Sequence, residues 1–306
     1  MPAFSTHYLF AKEMMDYLEE TADFKINKDA VLFGTQGPDI FFFHRIMPWM
    51  AGRSLLKYGS ILHRTKPQFL FENMREYCTV SNNPEIAKSY VYGFMLHYVL
   101  DKNCHPYVYS LQNKITEHNK FANPHTVHNI IEYALDAYLL NKRFGIKNPT
   151  QFDKSRTISI DSKVIEEIGK LLEYVVPKTI HKKITAKQAE QAIKDTKDIQ
   201  KLMFDPNGYK QKITRILDII IAPFSHNYKF SAMIIPKDLE KTKKYANIDN
   251  AKWKSPYSDH CRYESFENLF DCSIAEAQQM IKDFQSGKNC RDITKNKSFL
   301  TGVEVK

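Results

Sequence analysis

Apolar residues recur at helical spacing along almost the whole of this chain. Residues 6–20 set Leu9, Met14, Met15 and Leu18 near one side, with acidic residues between them, the pattern of an amphipathic helix. Asn83 before Pro84 is a cap followed by proline at the first helical position, and it predicts a helix to about Cys104. Pro106 discourages helix at His105, so that histidine is expected just past the helix end. Asn123-Pro124 repeats the start signal, predicting a helix to about Arg143 with Gly145 as terminator. Thr185-x-x-Gln188 and Ser273-x-x-Glu276 read as capping boxes, and the last helix is expected to stop near Gly287. Strand-like alternation is confined to Thr157–Ile160. Turn residues mark loops at Gly34–Pro38, Ser81–Pro84, Asp205–Gly208 and Ser255–Ser258. The fold class that follows is all-α, a multi-helix bundle.

Within these apolar helices a few polar residues stand out by type and spacing. The 84–104 helix is apolar nearly all round, through Tyr90, Val91, Phe94, Met95, Leu96, Tyr98, Val99 and Leu100, which implies a central, buried position. His97 and Asp101 sit inside that surface, one turn apart. An ionised carboxylate there is costly unless it is paired or bound to a cation. In the 124–143 helix His128, Glu132 and Asp136 share a face at i, i+4, i+8, with about 40° of drift per step. Two readings stay open: a buried His–Asp hydrogen bond with a half-solvated stripe, or inward ligands for a metal cluster between central helices. His105, His63, Asp39 at the mouth of the Gly37-Pro38 turn, and His7 in the first turn of the first helix complete the candidates. Eight of the eleven histidines fall within the first 128 residues. His44, His118, His181, His226 and His260 are read as ordinary surface or core residues.

Composition narrows the class. Hydrophobic content of 43% and charged content of 26% describe a globular chain, with too few glycines and prolines for a fibrous or linker-dominated one. The net charge is +9, of which residues 1–150 carry +2 and the remainder +7. A basic C-terminal half suits an anionic lipid surface or nucleic acid, but no dense basic block or basic–aromatic stripe appears, so a solvated lysine-rich surface is the plainer expectation. The division drawn is a metal-binding region at 1–147 and a lysine-rich helical region at 148–306, either separate or packed on the first as one body. Five widely spaced cysteines without a C-x-x-C, and no visible signal peptide, lead to an expectation of reduced thiols and a cytoplasmic location. No apolar run is long enough to span a membrane; the longest candidates are Tyr90–Leu100 and Ile216–Phe224.

The order His7, Gly-Pro-Asp39, His63, His97-x-x-x-Asp101, His105, His128-x-x-x-Glu132 resembles the bacterial zinc-dependent phospholipase C family, whose all-helical trinuclear zinc fold is shared by single-strand-specific fungal nucleases. The resemblance covers roughly residues 1–140. It implies that Asp39, His63, His97 and Asp101 hold one zinc, that Asp101 bridges to a second site with His7, and that His105, His128 and Glu132 hold another. Two or three zinc ions are expected. Asp136 becomes a carboxylate orienting a ligand histidine. The sequence departs from the secreted members at its start, where they expose an N-terminal tryptophan as a ligand and this chain has Met1-Pro2. The Asp101–His105 interval is shorter and the His105–His128 interval longer, which leaves His118 or His125 as substitutes for His105. The implied activity is phosphoester hydrolysis by a zinc-activated water, with Asp39 orienting or deprotonating that water and a phospholipid headgroup as substrate. Phe41, Phe42, Phe43, Trp49 and Tyr107 are candidates for a headgroup pocket, with core packing the stronger expectation. The alternatives are a single-strand nuclease on the same centre and a non-catalytic, metal-stabilised helical interaction protein.

Overall fold

The computed structural model describes residues 3–47, 49–159, 161–223 and 225–305. The chain runs through α1 (Phe4–Thr21), α2 (Lys28–Gly34), a 3-10 turn (Gly37–Phe43), α3 (Leu56–Leu62), α4 (Pro67–Val80), α5 (Pro84–His118) and α6 (Pro124–Phe144). Two 3-10 turns, Pro149–Gln151 and Lys154–Thr157, lead to α7 (Ser162–Ile180), α8 (Ala186–Met203) and α9 (Tyr209–Ile221). A further 3-10 turn (Phe230–Met233), α10 (Leu239–Lys243), the short antiparallel pair β1 (Trp253–Lys254) and β2 (Cys261–Arg262), α11 (Phe266–Gln285) and α12 (Cys290–Thr294) complete it. The expected all-α class is what the structure shows.

α5 is the axis. Its residues from Ile86 to Val108 are almost all buried, and α1, α2, α4, α6, α7 and α11 all pack against it. Its apolar circumference requires that many neighbours. α2 crosses it very closely because both helices offer a glycine: a Cβ on Gly93 would lie 2.2 Å from the Val31 carbonyl oxygen, and one on Gly34 would lie 2.3 Å from that of Tyr90. One apolar core, running in sequence from Ala3 to Phe299, draws on both halves of the chain.

The helix starts and stops at α6 follow the sequence signals. Asn123 accepts a hydrogen bond from the Thr126 amide. Gly145 closes the helix in the left-handed conformation at φ 65°. The Thr185–Gln188 capping box forms. Four local expectations fail. α5 does not stop at Cys104 but continues through Pro106 to His118, since packing on all sides outweighs one lost backbone bond; His105 is therefore inside the helix. Ser273 is not a cap: α11 starts earlier, on a Ser265–Asn268 capping box, and the Ser273 hydroxyl donates back to the Leu269 carbonyl. α11 ends as expected, at Gln285 before Gly287, but the short α12 follows it, capped by Asn289. Thr157 closes a 3-10 turn capped by Asp153 rather than opening a strand; Ile160 lies outside the described residues, as do Met1, Pro2 and Phe224. Among the described residues no helix is long and apolar enough to cross a membrane, and the five cysteines are free thiols.

Candidate metal centre

Five pieces of chain bring eight side chains together. α5 contributes His97, Asp101 and His105 at i, i+4, i+8 on one face. α6 contributes His128 and Glu132. α1 contributes His7 from its first turn, the 3-10 turn Asp39, and the end of α3 His63. His7, His63, His97, Asp101 and His105 are at most 1% exposed. Asp39 and Glu132 show 6% and 5%, and with His128 they form the more open edge. The donor atoms fall into three groups whose members lie within 4.8 Å of one another, the first two sharing His97: His7, Asp39 and His97; His63, His97 and Asp101; His105, His128 and Glu132.

The orientation of the imidazoles is as informative as their proximity. His63 Nδ1 donates to the Gly59 carbonyl at 2.8 Å, His97 Nδ1 to the Thr35 carbonyl at 3.0 Å, and His105 Nδ1 to the Phe299 carbonyl at 2.8 Å. His128 Nδ1 meets Gln112 Oε1 at 2.7 Å. A carbonyl only accepts, so each Nδ1 carries the hydrogen and each neutral ring is left with a lone pair on Nε2. Those Nε2 atoms turn inward. The Nε2 atoms of His63 and His97 face each other at 3.4 Å. Asp101 Oδ2 lies 3.1 Å from His97 Nε2 and 3.5 Å from His63 Nε2, and Asp101 Oδ1 lies 3.3 Å from His7 Nε2. Asp39 Oδ1 is 3.2 Å from His63 Nε2, and Glu132 Oε1 is 2.8 Å from His128 Nε2. Gly37 makes room for this: it sits at φ +49°, and a Cβ there would lie 2.4 Å from the His97 ring.

A convergence of acceptors without donors is the fit expected of a divalent cation site. Both nitrogens of His7, both oxygens of Asp101, Asp39 Oδ1 and His105 Nε2 are buried without a hydrogen-bond partner, a costly state unless a cation neutralises it. A proton answers only part of it. Burial depresses His63, but the Asp101 and Asp39 carboxylates outweigh that and lift its pKa to about 9. Burial instead lowers His7, His105 and His128, so these rings stay neutral and available as ligands. Burial opposes the ionised form of Asp101, yet the surrounding histidines hold its pKa well below the usual carboxylate range. Three carboxylates with five imidazoles form a hard-to-borderline donor set suited to zinc.

All eight predicted site residues meet here. His118 and His125 do not: both are exposed, and His118 Nδ1 donates to the Lys114 carbonyl in its own helix. Asp136 orients no histidine. Its carboxylate accepts from the Ser5 amide at 2.9 Å and from the amide and hydroxyl of Thr6 at 2.8 and 2.7 Å, capping α1 and so fixing the turn that carries His7. Phe41 and Tyr107 are core residues and Trp49 is exposed; Phe42 stacks on His63 at 5.7 Å. The sequence reading missed Thr35, Gly59 and Phe299, whose contribution is a backbone carbonyl. It also missed Gln112, which lies seven residues beyond His105 on the same face and is visible only once α5 is continued past Pro106. Tyr109 was missed too. Its ring lies 5.6 Å from His105 and 5.1 Å from His128, and with Arg64, Tyr257 and Leu300 it lines an open groove of about 410 Å³ beside the centre.

A family model described as zinc dependent phospholipase C matches residues 6–201. No curated protein and no solved structure matches the chain.

Proposed function

The chain belongs to the zinc-dependent phospholipase C family, a family of metal-dependent phosphoester hydrolases, and on that footing we propose that it cleaves phosphodiesters of phospholipid headgroups with the eight-residue centre holding two or three zinc ions. The observation that carries the reading is the inward set of Nε2 lone pairs, each fixed by an Nδ1–H bond. His63, His97, Asp39 and Asp101 would hold one ion, His7 and Asp101 a second, and His105, His128 and Glu132 a third. Bound zinc would supply Lewis acidity toward the phosphoryl oxygens and toward the attacking water.

The remaining chemistry belongs to the protein. Asp39, on the open edge with Oδ1 3.2 Å from His63 Nε2, accepts the proton of the attacking water. Its partner His63 keeps that carboxylate in place. Arg64 directly follows His63 and stands at the rim of the Tyr109 groove, where its guanidinium pairs with a phosphate oxygen. Tyr109 shields the outer faces of His105 and His128 from water while leaving the groove open.

The pair Tyr109–Tyr257, with ring centroids 5.8 Å apart, also offers a stacking surface of the kind a single-stranded nucleic acid uses. Turnover of a chromogenic phosphodiester, a choline phospholipid and single-stranded DNA, each with metal content measured, separates the readings. The expected result is cleavage of the first two. Cleavage of DNA alone favours a nuclease, and full metal loading with all three substrates intact refutes hydrolysis. Metal content should fall by at least one ion in His97→Ala and in Glu132→Ala; an unchanged content refutes the ligand set.

A further inference from the structure

α9 is built inside out. Ile213, Ile216, Leu217 and Ile220 recur at i, i+3, i+4, i+7, and they are 59%, 60%, 49% and 63% exposed. Tyr209 extends that face and is exposed as well. The buried residue of the helix is Asp218. Its carboxylate accepts from the Phe230 and Ser231 amides at 2.7 and 3.1 Å, tethering the helix by its polar side. A helix that serves only to cover a core does the reverse. Lys210 and Lys212 fall on opposite edges of the apolar stripe, roughly 60° and 100° from its Ile213 line.

We infer that this face seats the protein on an anionic phospholipid bilayer, with α9 lying flat at headgroup depth. Thirteen residues give a rod of about 20 Å, too short to span a bilayer and suited to lie in its surface. Lysines rimming an apolar stripe can keep their stems in the acyl boundary and their ammonium groups among phosphates. The region from residue 151 onward also carries +7 of the net +9 charge. The same lysine rims disfavour pairing with a second copy, which would bring like charges together. The choice of a lipid over another anionic partner rests on the phospholipase reading above. Placement agrees with it. The segment after α9 is pinned to the first turns of α6, the Lys229 amide donating to Thr126 Oγ1 at 2.8 Å and Asn129 Nδ2 to the Tyr228 hydroxyl at 3.1 Å. Those turns carry His128, so a docked α9 holds the open edge of the metal centre near the lipid.

The test is co-sedimentation of the full chain with vesicles of phosphatidylglycerol and phosphatidylcholine in equal parts, against the double variant Ile216→Glu/Ile220→Glu. Wild type is expected to sediment, less so on pure phosphatidylcholine or in high salt, and the variant to bind about tenfold more weakly or worse. Melting temperature and turnover of a soluble short phosphodiester should be unchanged in the variant, since both side chains are exposed and neither belongs to the ligand set. Equal vesicle binding by wild type and variant overturns the inference. So does a wild type that ignores vesicles but forms a dimer that the variant dissolves. Vesicle binding without turnover of any phosphoester supports this surface and defeats the hydrolase reading alone.

Discussion

Asp101→Asn separates a metal centre from a buried His–Asp network, because the two assign the same carboxylate different work. Asp101 is fully buried, with ring nitrogens of four histidines at 3.1, 3.3, 3.5 and 3.7 Å. In the ion-free protein the excess proton sits on His63, 3.5 Å from Oδ2. At an effective dielectric constant of about 20 such a contact attracts by about 5 kcal/mol. Desolvating a carboxylate costs several kcal/mol and offsets part of that attraction, but the histidines still hold Asp101 ionised, so asparagine should cost about 2–3 kcal/mol under chelation. With zinc bound, the carboxylate is a shared ligand. If asparagine weakens zinc about a thousandfold, then at free zinc a thousand times the wild-type dissociation constant about 4 kcal/mol of stabilisation disappears, or about 8 °C at roughly 2 °C per kcal/mol for a chain of this size. The assay is thermal unfolding of wild type and variant in zinc and in chelator, with bound metal counted beforehand. A variant that loses the same stability in both buffers, or keeps its full metal content, refutes the reasoning.

Three further outcomes are expected. Gly37→Ala should cost about 1–2 kcal/mol for the left-handed backbone and should in addition lower zinc occupancy by displacing the His97 ring; Gly145→Ala, at φ 65° with nothing within 4 Å, shares the backbone cost and should leave zinc unaltered, so equal zinc content in the two variants defeats the claim. Asp136→Ala strands the Ser5 and Thr6 amides and should lower stability by about 3 kcal/mol in denaturant titrations, in chelator as well as in zinc; a loss under about 1 kcal/mol contradicts the capping role. Zinc must displace the proton that His63 holds up to about pH 9, so apparent zinc affinity should climb about tenfold per pH unit from pH 7 toward 9. His63's folded pKa is raised, so its contribution to the stability of the chelated protein is complete below about 6.5 and is lost as pH rises through 9, a ceiling of roughly 3 kcal/mol. A flat zinc-affinity profile across that range defeats the assignment.

What could be read ahead of the structure follows from which atoms do the work. Ligand side chains announce themselves: His97 and Asp101 are expensive in an apolar helix, and the fixed helical period places His128 and Glu132 on one face. Caps at Asn123 and Thr185 are equally legible, because a local side chain satisfies a local amide. The reading broke where a distant environment overrode local chemistry. Pro106 ends an isolated helix, but α5 is sheathed on all sides, so the helix continues and draws His105 and Gln112 into line. Ser273 looks like a cap only while the earlier Ser265 start is unknown. The supports of the centre were invisible for a different reason. Thr35, Gly59 and Phe299 act through carbonyl oxygens that every residue possesses, and Phe299 reaches His105 from 194 positions away. Gly37 is the one trace of that layer in the sequence. Only glycine tolerates its backbone angle with an imidazole pressed against it, so the Gly37-Pro38-Asp39 turn encodes both a ligand and the space another ligand needs.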